Sequence, residues 1–167
     1  GFLLNDDGGI IDDVVVYRLD PTPEVEERMM VVCNASNREA VLAWIGDRMA
    51  TEPGVALRDL TLETAMVAVQ GPGAAAAVDS LLGPDGPTGL RPFGVAERSA
   101  RLDEEVAPVP LLVSRTGYTG ENGFEVVVPA EAAEALWRAL MGLGGVPCGL
   151  GARDVLRLEA GLRLHGT

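Results

Sequence analysis

Two adjacent carboxylates, Asp12 and Asp13, stand inside a run of β-branched and apolar residues covering positions 10–17. The run follows Asp6-Asp7-Gly8-Gly9, a composition that makes a tight turn. With strand alternation, Ile10, Asp12, Val14 and Val16 share one face, and Ile11, Asp13, Val15 and Tyr17 share the other. Each apolar face then carries one acid. An ionised carboxylate on such a surface has to be paired, hydrogen-bonded or neutralised, and proteins retain one there most often where it does chemistry. The chemistry on offer is proton transfer or recognition of an amine-bearing ligand. A structural alternative stays open: at a short strand end an acid reaches solvent or caps a turn.

Three further stretches combine glycine with polar side chains. In residues 114–125, Ser-Arg-Thr-Gly-Tyr-Thr-Gly-Glu-Asn-Gly-Phe-Glu, a turn holds Tyr118 as a flat stacking surface with a hydroxyl tip. Glu125 opens an apolar strand there and could accept two hydrogen bonds from an amino-substituted heterocycle. The plain alternative is that Tyr118 and Glu125 pair with Arg115 to tie down a long hairpin. In residues 148–161, Arg153 and Arg157 are four apart on a helix, and an arginine at a helix start opposes the dipole, which points to an anionic ligand. A salt bridge of either arginine to Asp154 or Glu159 is the alternative. Residues 69–73, Val-Gln-Gly-Pro-Gly, lack the spacing of a phosphate-binding or dinucleotide loop and read as structural.

Composition narrows the partners. The 167 residues carry a formal charge of −12, so no basic footprint for nucleic acid or an anionic membrane is expected. Apolar residues make up 47% and charged residues 23%, the balance of a soluble globular protein, and only 4% are aromatic, so the core is aliphatic. Cys33 and Cys148 form no C-x-x-C pair and read as free thiols in a reducing compartment. With His165 as the single histidine, neither a metal site nor a Ser-His-Asp triad is expected. The chain opens inside a strand-like run without methionine and reads as a fragment.

The elements that must position these groups alternate between periods of two and of 3.6 residues. Strands are expected at 2–5, 10–19, 28–34, 55–60, 65–70, around 93–98, 111–116 and 124–128. Helices are expected after a capping box of Ser36 and Glu39, with Val41, Trp44, Ile45 and Met49 as core; from Pro72 to near Gly83; after Pro129, burying Ala133, Leu136, Trp137, Leu140 and Met141; and at 151–160, turning Val155, Leu158 and Leu162 inward. The order predicts an α+β fold of antiparallel sheets with packed helices. A Pro-Gly stretch at 51–54 divides it into parts of two domains, 1–54 and 55–167.

Five segments in order resemble one family: Leu4-Asn5-x-x-Gly8-Gly9-Ile10-Ile11-Asp12-Asp13-x-x-Val16-Tyr17, Val32-x-Asn34-Ala35-x-Asn37, Val69-Gln70-Gly71-Pro72, the stretch from Ser114 through Glu125, and Gly149-Leu150-Gly151-Ala152-Arg153-Asp154-x-Leu156-Arg157-Leu158-Glu159-Ala160-Gly161. The family is the aminomethyltransferase, or T-protein, of the glycine cleavage system. The resemblance implies part of a three-domain folate-binding fold, lacking an N-terminal segment and a C-terminal β-rich domain, and inactive by itself. It implies transfer of a methylene group from the aminomethyl-lipoyl arm of the H-protein to tetrahydrofolate with release of ammonia, and no metal. By resemblance Asp13 is the catalytic carboxylate, Tyr118 and Glu125 contact the pterin, Asn34 and Asn37 line the cleft, Arg153 contacts folate and Tyr17 lies near the lipoyl entrance. The expected location is the bacterial cytoplasm, or the mitochondrial matrix in a eukaryote. Arg163 and His165 depart from the family pattern. Two rivals resemble the same superfamily: the folate domain of a sarcosine or dimethylglycine oxidase, and a non-catalytic folate-binding or iron-sulfur-assembly protein.

Overall fold

The computed structural model describes residues 1–103 and 107–164, with only the backbone at 85 and 88. His165 and the acids Glu104 and Glu105 lie outside the described residues. The fold is α+β, with antiparallel strand pairing throughout the described sheets. Two compact units divide the described residues, one of residues 1–59 with Leu164, the other of residues 60–163.

The first unit is built from two ribbons and a helix. Strand β1 (Phe2–Leu4) pairs with β2 (Ile10–Asp13), and β3 (Val15–Leu19) pairs with β4 (Arg28–Val32). Asn5 shapes the turn between β1 and β2: its side-chain oxygen accepts the amides of Asp7 (3.1 Å) and Gly9 (2.6 Å). Gly8 takes a φ of 81°, which a residue without a Cβ adopts freely. Helix α1 (Arg38–Met49) is fastened to this ribbon by the Trp44 indole, which donates to the Leu4 carbonyl at 2.8 Å. The Arg48 guanidinium lies over the Trp44 ring, 3.8 Å from its centroid.

In the second unit, strands β5 (Thr64–Gln70), β6 (Val95–Ala100), β7 (Val109–Ser114) and β8 (Gly123–Pro129) form one sheet in the order β5-β8-β7-β6. Helices α2 (Ala74–Leu82) and α3 (Ala133–Gly142) supply Ala74, Val78, Leu82, Leu136 and Leu140 to a core completed by Leu111, Val113, Phe124, Val126 and Val128 from the sheet. Alternate residues of β8 thus face the helices, and Glu125 between them faces the other way. Helix α4 (Leu150–Glu159) ends the unit.

Several expectations are corrected. The expected continuous strand over 10–19 is interrupted at Val14, where the chain changes partner: the Val14 amide still donates to Gly1 (2.8 Å), while Val15 pairs with Val32 of β4. Each ribbon sets its own side-chain parity, so Asp13 is exposed while Tyr17 is buried, and the two do not share a face. Residues 55–60 form no strand; Val55 and Leu57 are exposed, and Asp59 is engaged by Arg38 instead. The capping box does not form: a short 3-10 turn over Ala35–Asn37 precedes α1, Asn37 caps without a side-chain bond, and Glu39 pairs with Arg38. On α3, Leu136 and Leu140 face the sheet, which turns Trp137, one residue or about 100° away, to solvent at 45% exposure. On α4 the inward residue is Arg157, and Val155 and Leu158 are exposed.

The core of the second unit therefore depends on a few aliphatic side chains. Leu136→Ala, at a fully buried position against the sheet, is expected to cost about 2–5 kcal/mol in urea unfolding. A shift below about 0.5 kcal/mol would place Leu136 outside the packing that holds this unit, since surface substitutions have effects of that size.

Candidate functional site

In the first unit the two carboxylates are held by one carboxamide. Asp12, the second residue from the end of β2, is 0% exposed. Its Oδ2 accepts the backbone amide of Asn34 at 3.0 Å and its Oδ1 accepts the Asn34 Nδ2 at 2.8 Å. The same Nδ2 donates to Asp13 Oδ1 at 2.9 Å, with a longer approach of 3.4 Å to the Asp13 carbonyl. An amide nitrogen carries two hydrogens, and Asn34 directs one to each acid. The sequence order explains this: Asn34 follows β4, two residues beyond Val32, which pairs with Val15, so it arrives beside the end of β2. Asn37 donates its Nδ2 to the Ile11 carbonyl and so pins the middle of β2.

The acids differ in what they can do. Asp12 is desolvated and fully engaged, as a structural carboxylate must be. Asp13 is exposed, with Oδ1 oriented by Asn34. A carboxylate held at one oxygen and open at the other is suited to orient an amine or exchange a proton with it. Tyr17, in β3, is only 3% exposed. Burial first, and the Asp12 charge second, push the Cys33 thiol above its usual range.

In the second unit, Glu125 lies on the sheet face away from the helices, opposite Ser114 on β7 and Ala68 on β5. Thr116 Oγ1 lies 2.5 Å from Glu125 Oε2, and Ser114 Oγ lies 2.7 Å from Thr116 Oγ1. An ionised carboxylate only accepts, so Thr116 donates to Glu125 and Ser114 donates to Thr116. This hydroxyl chain was not read from the sequence, although both residues sit in the singled-out stretch; a strand register is needed to bring Thr116 onto Glu125.

Tyr118 is half-buried, and its hydroxyl donates to the Arg163 carbonyl. The Arg153 guanidinium covers one face of the ring, 4.7 Å from the centroid. Arg115 pairs with neither Tyr118 nor Glu125: it donates to the Leu90 carbonyl at 2.8 Å and to Asn122 Oδ1 at 3.2 Å, and so ties down the loop by another route. Arg157 is 8% exposed, donates to Asp154 Oδ1 at 2.8 Å and to the Leu162 carbonyl at 3.2 Å, and is therefore structural. Arg153, by contrast, is exposed on α4. Among the described residues no three His, Cys, Asp or Glu side chains group to hold a metal ion.

The whole chain, residues 1–167, matches the family described as the GCVT N-terminal domain. It is 42% identical over 167 residues to a protein named aminomethyltransferase from Methylococcus capsulatus, covering 99% of this chain and 41% of that protein. It is 45% identical over 165 residues to one of the same name from Xanthomonas oryzae pv. oryzae, covering 98% and 42%. Among solved structures it resembles the glycine cleavage system aminomethyltransferase T from Bartonella henselae, with a TM-score of 0.78 and 38% identity over 99% of this chain and 41% of that one. The chain spans about two fifths of the length of these relatives.

Two outcomes follow from the acid pair. Asn34→Ala removes a donor from a carboxylate without water contact, and is expected to destabilise the protein by about 1–3 kcal/mol in urea unfolding; an unchanged midpoint would mean that Asp12 finds its donors elsewhere. At pH 8 an alkylating reagent should label exposed Cys148 well before Cys33, because the raised Cys33 value leaves less thiolate; equal rates would contradict that.

Proposed function

The chain belongs to the GCVT N-terminal domain family, and from that membership together with the Asp13 geometry we propose that it carries part of the folate site of a glycine-cleavage aminomethyltransferase. In the proposed reaction an aminomethyl group arrives on the lipoyl arm of an H-protein. Its carbon leaves sulfur and the amine and is joined to two nitrogens of tetrahydrofolate; the two protons displaced there go to the thiol and to the departing ammonia. Bonds and protons balance without an oxidant.

The observation that carries this reading is Asp13: an exposed carboxylate at a strand end, its orientation set by a neutral amide shared with a buried neighbour. Asp13 holds the reacting amine in place and takes up or returns its proton. Asn34 and Asn37 spend their amide nitrogens on Asp12, Asp13 and the Ile11 carbonyl, so their part is to fix the acid and its strand. Tyr17 is buried in β3, so its part is in holding that strand.

The residues of the second unit fit a pterin with an acidic tail. Glu125, directed by Thr116, presents a carboxylate that complements an amino-substituted ring edge. Tyr118 offers one ring face, the other being taken by Arg153, whose cation complements a carboxylate tail.

Asp13→Asn, in a full-length protein carrying this chain, should lower ammonia release from aminomethyl-loaded H-protein by roughly 10²- to 10⁴-fold while leaving the urea midpoint nearly unchanged. The asparagine oxygen still accepts from Asn34, so the fold is kept and the proton chemistry is lost. Turnover equal to wild type would remove Asp13 from the mechanism. Folate binding with no ammonia release by the wild type would instead favour a non-catalytic binding protein.

A further inference from the structure

We propose that Gln70, the last residue of β5, is the positioning residue of the pterin site: its side chain sets the loop that carries Tyr118 and the base of Glu125. The inference rests on the folate reading for what the loop binds, but not for how the loop is held.

Gln70 pairs with Gly123 across the sheet, and the ladder from Thr64↔Pro129 to Gln70↔Gly123 is made by backbone alone. The side chain adds nothing to that ladder. Its bonds go to the connection between β7 and β8 and to the carbonyl of Phe124, the second residue of β8. Nε2 donates to the carbonyls of Thr116 (3.2 Å) and Phe124 (3.1 Å), and Oε1 accepts the Thr119 hydroxyl (3.3 Å). One carboxamide thus bonds the loop at Thr116 and Thr119, on each side of Tyr118, and the strand that follows it at Phe124. Thr116, whose carbonyl it holds, is the residue that donates to Glu125.

The slot around this amide is made by the absence of two side chains. A Cβ at Gly117 would fall 1.9 Å from Gln70 Oε1, and a Cβ at Gly123 would fall 2.3 Å from both Cδ and Oε1. Neither glycine has a positive φ, so the requirement is for space and not for backbone freedom. A Cβ at either glycine would force the Gln70 amide, both of whose polar atoms are engaged, to move. The backbone amide of Gly71 extends the grip by donating to the Asn122 carbonyl at 2.8 Å.

The test uses a full-length protein carrying this chain. In Gln70→Ala, amide hydrogen exchange over residues 117–122 should rise at least tenfold while the amides of β7 and β8 keep their protection. The tetrahydrofolate dissociation constant and KM should rise about tenfold with kcat changed much less, the size expected for one or two lost hydrogen bonds. Gly117→Ala should produce the same loss from the opposite side of the slot. Combined with Gln70→Ala it should add little, because the methyl then has room. Gln70→Met, which fills the slot without the hydrogen bonds, serves if the alanine variant fails to fold. Unchanged loop exchange in Gln70→Ala and Gln70→Met overturns the inference, as does full additivity with Gly117→Ala. A wild type that binds no tetrahydrofolate removes the folate reading, and the exchange comparison then decides the hold of Gln70 on the loop.

Discussion

A carboxylate removed from water must be met by donors at both oxygens, and in the first unit Asp12 is met by Asn34 twice, through the backbone amide and through the side chain. This constraint organises what surrounds it. It brings the segment after β4 against the end of β2. It also uses half of the Asn34 amide, so the remaining hydrogen falls to Asp13. Two adjacent carboxylates at one strand end share a single neutral donor. The buried acid and the exposed acid are thus one device with two functions, retention and presentation.

The second unit reaches a similar end with different materials. Alternation along β8 commits Phe124, Val126 and Val128 to the helices, which leaves Glu125 facing outward at the register of Ser114. Two hydroxyls then line up with a single direction of donation, from Ser114 to Thr116 to Glu125. The aromatic and cationic groups come from a loop and from α4, and they arrive already stacked on each other. Glycine supplies the clearances that let these pieces approach: Gly117 and Gly123 admit Gln70, and a Cβ at Gly120 would meet the Ala160 methyl at 2.6 Å.

Much of this was legible in the sequence. The α+β class, the strands β5, β7 and β8 and the helices α2 and α4 follow from periodicity and from Pro and Gly punctuation. The acid pair stood out because carboxylates interrupt a β-branched run. What could not be read depends on pairing partners. Parity along residues 10–17 looks continuous until the ladder passes from Gly1 to Val32, and only then does Tyr17 separate from Asp13. Residues 55–60 have strand composition and no strand beside them. Arg157 is buried, donating to Asp154 and to the Leu162 carbonyl, while Val155 is exposed, against the hydrophobic periodicity. Gln70 looked like part of a turn, since its bonds join residues 46 to 54 positions away.

The change of partner at Val14 has a bearing on how such a sequence can vary. The register of β2 is governed by Asn5 and its turn, whereas the register of β3 is governed by β4. A length change in the turn at residues 6–9 is therefore absorbed before Val15. It leaves Tyr17 and the arrival point of Asn34 where they were. The break works as a buffer between the tip of the first ribbon and the second ribbon, while Asn34 and Asn37 hold the end of β2 that carries the carboxylate pair.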